Sequence, residues 1–480
     1  MKKLKKIINL RLACAILSTQ LLLTTQCVGV ENEAVYRQKD IDIPRIRGNS
    51  ARIDIPRIRG NSARDEAGVF QINLPCFSYL TGSCIYDYFD DKQSCLASVL
   101  VSNDVIVFEG YHQNINIVAS SDAKKIKSFV CRSKGNLSFL KPVFAENALV
   151  QCENLTLHAL FETGSLKMFC QELENLASLI VTGNEELNVL KIKKITNTGK
   201  VQIKSKSHLE YERLTNRGEL SLDSDCLFKC EDTGFMLNKG SWQASKNVIM
   251  QGGTFRNQDA GKVEILGSAR LENITLFHNE CRENGIWRVD KDFYFQGARY
   301  LSADSSITRI DGIWEHHSER LDLQGQITAG RLAAFDIAGL AHFCCRIEVG
   351  TMRVFARSDI ISNARAQFKI NHHFLLDTKD TLDFDSRLVI TGKVPSSSVE
   401  NKYGKGIFFS AKRFLNKGNV VRATSGCIEL QSGGGITHNG FTSAERGNAV
   451  LASKRDTLLR KDTYITAEQI RFEARNFSNQ

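Results

Sequence analysis

The chain has 480 residues, 24% of them charged, and a formal net charge of +10. Lys2, Lys3, Lys5, Lys6 and Arg11 supply half of that excess, and a duplicated segment with six Arg against Asp42 and Asp54 supplies most of the rest. The remaining body is close to neutral, with no basic face visible in composition, which argues against specific nucleic-acid binding, and no later apolar run reaches the ~18 residues a membrane-spanning helix needs.

Residues 1–30 read as an export signal: the early Lys and Arg residues precede the apolar run Leu12 to Leu23, and small residues follow. Cleavage is expected after Gly29. Cys27 only loosely fits a lipidation box, because Gln26 stands where a small residue is wanted. Residues 31–65 contain a tandem duplication in which the twelve residues Ile41 to Arg52 are repeated without change as Ile53 to Arg64. Pro, Gly, Ser and Arg make this an extended linker or a basic arm for acidic partners. Residues 66–150, with Cys76, Cys84, Cys95 and Cys131 and strand-like runs such as Val105-Ile-Val-Phe108, form a small β-rich N-terminal cap.

From residue 151 a short phrase recurs. Asn197-Thr-Gly199, Asn216-Arg-Gly218, Asn238-Lys-Gly240 and Asn416-Lys-Gly418 each precede alternating apolar residues, and Asn257 with Gly261 is a degraded copy. Asn and Gly enter left-handed backbone conformations most cheaply, so the phrase marks a tight corner. A corner near every 20 residues, with short strands between, predicts a right-handed parallel β-helix, a β-solenoid in which corner Asn side chains stack as ladders. The alternative is a β-sandwich with ordinary turns. No Pro lies between Val143 and Val394, as a committed hydrogen-bond ladder requires. The solenoid is placed at 151–390, a loop insertion at 391–406, and its continuation at 407–480. The chain reaches a corner-type Asn479 with no capping sequence after it, and the expectation is the front portion of a longer solenoid.

Candidate chemistry is sparse. Cys226 and Cys230, or the cap cysteines, are disulfide candidates if the chain is exported. The adjacent pairs Cys344-Cys345, His316-His317 and His372-His373 should each split across the two faces of a strand, one packing inward and one meeting solvent. Asp377, Asp380, Asp383 and Asp385 form an acidic cluster in which Asp383 and Asp385 share a face, a spacing usable by a sugar hydrolase or a calcium site but more simply a solvated edge. The sequons at Asn136, Asn154, Asn273 and Asn476 matter only in a eukaryotic secretory pathway. No catalytic, cofactor-binding or metal-binding residue is assigned; the site residues are the structural corner set Asn197, Gly199, Asn216, Gly218, Asn238, Gly240, Asn257, Gly261, Asn416 and Gly418.

The phrases Ile195-Thr-Asn-Thr-Gly-Lys-Val-Gln-Ile203, Leu214-Thr-Asn-Arg-Gly-Glu-Leu-Ser-Leu222 and Phe414-Leu-Asn-Lys-Gly-Asn-Val-Val421 resemble the coils of filamentous-haemagglutinin-like bacterial exoproteins. The resemblance covers about residues 188–289 and 407–480. It implies a noncatalytic, secreted or cell-surface adhesin that binds a host-surface protein or glycan, exported with an outer-membrane secretion partner and needing no cofactor. Residues 31–150 lack that family's N-terminal secretion motifs, and the chain is richer in Cys. A polysaccharide-cleaving β-helix enzyme and a truncated remnant of a larger exoprotein are the other readings.

Overall fold

The computed structural model describes residues 57–60, 62–64, 69–74, 84–102, 104–118, 126–183, 187–281, 285–391, 405–424, 426–461 and 463–479. The leader, the first copy of the duplication and most of the 391–406 insertion lie outside them. Among the described residues the fold is all-β: 77% strand, no helix, and about 16 turns of stacked parallel coils, a β-solenoid. Alternating burial explains it. Strands such as Lys200–Ile203 and Glu219–Leu222 bury every second residue, and each coil hydrogen-bonds to the next through its backbone, so a continuous apolar stripe is enclosed without any helix.

The antiparallel part is confined to the beginning. Ser62–Arg64 pairs with Phe70–Asn73, and Cys84–Phe89, Cys95–Ser102 and Val105–Gly110 form a meander. Arg57–Arg59, in the second copy of the duplication, adds in parallel to Cys84–Phe89, so that stretch of the expected linker is sheet. Parallel coiling has begun by Asn114–Val118, which pairs with both Phe70–Asn73 and Asn136–Phe139.

One inward column can be followed by register along nearly the whole stack: Ile72, Ile117, Phe139, Leu157, Asn175, Asn197, Asn216, Asn238, Asn257, Asn279 and Ser302, then Phe343, Ser362, Phe384, Asn416, His438, Leu459 and Asn479. Its six consecutive Asn are buried. Each carboxamide donates one N–H to the next Asn: 2.7 Å from Asn175 to Asn197, 2.8 Å for the next three steps, and 3.2 Å from Asn257 to Asn279. The second N–H of Asn175, Asn197 and Asn216 reaches the carbonyl of Lys200, Glu219 and Ser241 at 3.0 Å. Thus the corner Asn satisfies buried backbone as well as its neighbour, each bond contributing roughly 0.5–1.5 kcal/mol net.

The left-handed conformation expected for the corner is absent. None of the corner Asn or Gly residues has φ in that region; among the described residues it is adopted by Gln93, Asp104, Asp259, Asn273, Gly252, Gly253, Gly325 and Gly426. Glycine is required for another reason. A Cβ at Gly199, Gly218 or Gly240 would run into the carbonyl of Ala177, Gly199 or Gly218 on the preceding coil. Gly261 faces the Asn238 carbonyl in the same way. Gly418 lies inside the strand Arg413–Ala423, where the register slips between Lys417 and Val420.

The interior beyond the Asn ladder is aromatic. Trp242, Trp287 and Trp314 are fully buried; the edge contact Phe277–Trp287 (5.0 Å) joins two faces of one coil, and Trp314–Phe335 (4.9 Å) links successive coils.

Candidate functional site

The outward column beside the ladder carries the densest polar chemistry. Register places Arg256, His278, Leu301, Asp322, His342, Ile361, Asp383 and Leu415 in one line, each on a successive coil. They face out because their strand neighbours Asn257, Asn279, Ser302, Phe343, Ser362, Phe384 and Asn416 face in.

Two acids in this face are held alike. Glu280 receives His278 Nδ1 at 2.8 Å and the Gln258 amide at 3.0 Å, with Arg256 at 4.0 Å. Two coils further on, Asp322 receives His342 Nδ1 at 3.0 Å and the Gln324 amide at 3.4 Å, with Arg320 at 3.9 Å. Each unit therefore contains an acid, an imidazole, a carboxamide and a guanidinium. Burial lowers the basicity of His278 against the opposing pull of Glu280, and Asp322 adds to that pull from two coils away. Leu301 and Ile361 interrupt the polar line with half-buried apolar surface.

The acidic cluster does not form a free carboxylate pair. Asp383 is bound by Lys417 of the next coil at 2.5 Å, and Asp380 by Lys412 at 3.8 Å. Asp377 and Asp385 are half-buried at strand ends. Among the described residues no group of three or more His, Cys, Asp or Glu side chains is gathered as metal ligands.

The paired residues fall out as follows. His316 is buried and its Nε2 meets Ser318 Oγ at 2.9 Å, whereas His317 faces outward between Glu315 (3.3 Å) and Asp336 (3.8 Å), which raise its basicity. Cys345 is buried and Cys344 half-buried. His372 and His373 do not split; both are half-buried, because the register slips opposite them between Val349 and Thr351. Cys226 and Cys230 are free thiols on the same face of one strand. Four residues of strand separate them by about 13 Å, too far for a disulfide. Cys84 and Cys95 are also free, at opposite ends of their hairpin. Asn136 and Asn154, two of the sequons, belong to a second, outward Asn ladder with Asn114, at 2.8 and 2.6 Å.

The two acid-centred units were not singled out in the sequence, since their members come from strands about a coil apart and no local motif joins them. Comparison with known protein families, with curated proteins and with solved structures gave no match.

Proposed function

We propose that this is an exported, noncatalytic interaction protein of the adhesin type, akin to filamentous-haemagglutinin-like exoproteins, whose outer face binds a host-surface protein or glycan. The observation that carries this reading is the repeated unit on one face: Arg256, Gln258, His278 and Glu280, then Arg320, Asp322, Gln324 and His342. Hydrogen-bonding groups repeated along the coil stack, with Leu301 and Ile361 between them, suit an extended ligand that needs both polar and apolar contact. Glycan cleavage instead calls for two carboxylates free to divide acid and base roles, and Asp380 and Asp383 are each tied to a lysine.

A glycan and host-protein binding screen, run beside a polysaccharide-degradation assay, tests the reading. Wild type should bind without releasing products, and Asp322→Ala with His342→Ala should lower binding at least about tenfold. Product release that survives purification would overturn the reading in favour of an enzyme. Export is tested separately, by sequencing the mature N-terminus for cleavage after Gly29.

A further inference from the structure

Three thiols gather where the early parallel coils stack. Cys131 lies in the strand Ile126–Ser133, Cys152 one residue beyond the strand Val143–Gln151, and Cys170 within Phe161–Asn175. Register decides which can pair. Gln151 stands opposite Phe169, and the Cys152 N–H donates to the Phe169 carbonyl at 3.1 Å, so Cys152 and Cys170 are stacked neighbours. Cys131 stands opposite Val150, which makes it only a diagonal neighbour of Cys152. Directly opposed residues on adjacent strands have Cα atoms about 5 Å apart, within the roughly 4.4–6.8 Å a disulfide spans, whereas diagonal ones lie about 7–8 Å apart. Both side chains are buried, and both are free thiols in this structure. Cys152 also sits just before the bend at Glu153, outside the regular strand.

We propose that Cys152 and Cys170 form a disulfide that staples two consecutive coils, made by thiol–disulfide exchange with a small-molecule or protein disulfide. One thiol loses its proton, attacks the donor disulfide and releases one donor thiol. The second thiolate then attacks the mixed disulfide and releases the other, so two thiols are oxidised and one disulfide is reduced. The thiolate is the reactive form, and in the folded coil the neighbouring Cys152 thiol and burial hold the Cys170 thiol far above the usual range. The cross-link therefore forms while the coil is still open.

The full chain refolded in a glutathione redox buffer, then alkylated and digested, should yield a Cys152–Cys170 linked peptide. Cys131→Ala should keep the link, and Cys152→Ser and Cys170→Ser should each abolish it. Oxidation should raise the denaturation midpoint of the wild type and of neither serine variant; if a serine variant does not fold, the peptide map of wild type and Cys131→Ala decides. The same buffer added to chain already folded under reducing conditions should form the link at least about tenfold more slowly. Alkylated Cys152 and Cys170 after oxidative refolding, or a link through Cys131, would overturn the pairing. Equal rates in folding and folded chain would overturn the proposed timing.

Discussion

The coils from Asn175 to Asn279 and those from Ser302 to Phe384 occupy the same inward column by opposite means. The first set fills it with a continuous amide ladder. The second uses Ser302, whose Oγ donates to the Gln324 carbonyl at 2.9 Å, then Phe343, Ser362 and Phe384, the last packed on Phe409 at 5.1 Å. Parallel register persists through the change, so the backbone ladder sets the coil and the corner filler need only close its own hydrogen bonds or its own volume. The boundaries show the cost of switching. Asn175 Oδ1 and Asn416 Oδ1 are both buried without a partner, because the column neighbours before them are Leu157 and Phe384. A buried orphan acceptor of this kind costs about 1–3 kcal/mol.

The comparison can be broken most forcefully at an apolar corner. Phe384→Ala should lower unfolding stability by about 3–5 kcal/mol in a denaturant titration, since a fully buried ring leaves a cavity. A loss under about 1 kcal/mol would show that the apolar column carries little.

Acid should next separate the amide ladder from the coils that follow Phe384. The ladder has no titratable member, whereas those coils contain His438, bound to Asn416 at 2.8 Å and Thr442 at 3.1 Å, with burial pushing its pKa down to about 4. The unfolded imidazole takes a proton near pH 6.5 and the folded one does not. Stability from this group is therefore full above pH 6.5 and falls as pH drops toward 4, by up to about 3 kcal/mol. Hydrogen exchange at pH 4.5 should expose 416–459 before 175–279. His438→Asn, which continues the amide ladder, should remove much of that difference.

Smaller effects bear on the ladder itself. Gly218→Ala should cost about 2–3 kcal/mol through collision with the Gly199 carbonyl, while Gly433→Ala, where the added carbon makes only an ordinary contact with Lys412 Cα at 3.9 Å, should stay within about 0.5 kcal/mol. Asn216→Ala should cost about 2 kcal/mol and Asn175→Ala about half that, because Asn175 already lacks one partner. Equal losses at the two positions would show that the ladder is not a chain of reciprocal bonds.

The coil architecture was legible because Asn-x-Gly followed by alternating apolar residues is a short-range pattern. Asn175 and Asn279 were not legible, although they sit in the same ladder. Ala177 replaces the glycine after Asn175, and Cys281 follows Asn279, its thiol accepting the Asn257 amide at 2.9 Å. Continuity through Leu157 or Phe343 was hidden too, since register preserves a position while its chemistry changes. The polar face was hidden for a related reason: Glu280 and His278 are neighbours in sequence, but their likeness to Asp322 and His342 appears only once coils are stacked. The Cys226–Cys230 expectation failed on distance along a strand, and the His372–His373 alternation failed on a register slip that no local spacing announces.

The register between Asn197 and Asn216 also makes the stack editable in whole units. Excising Thr198 through Asn216 joins Asn197 to Arg217-Gly218 and regenerates the corner phrase at the junction. The strand Glu219–Leu222 would then rest on Ser178–Val181, whose present neighbour Lys200–Ile203 it already matches residue for residue. Removal of one such unit shortens the stack by about 4.8 Å, while a cut that slips a strand by an odd number of residues turns its inward side chains outward.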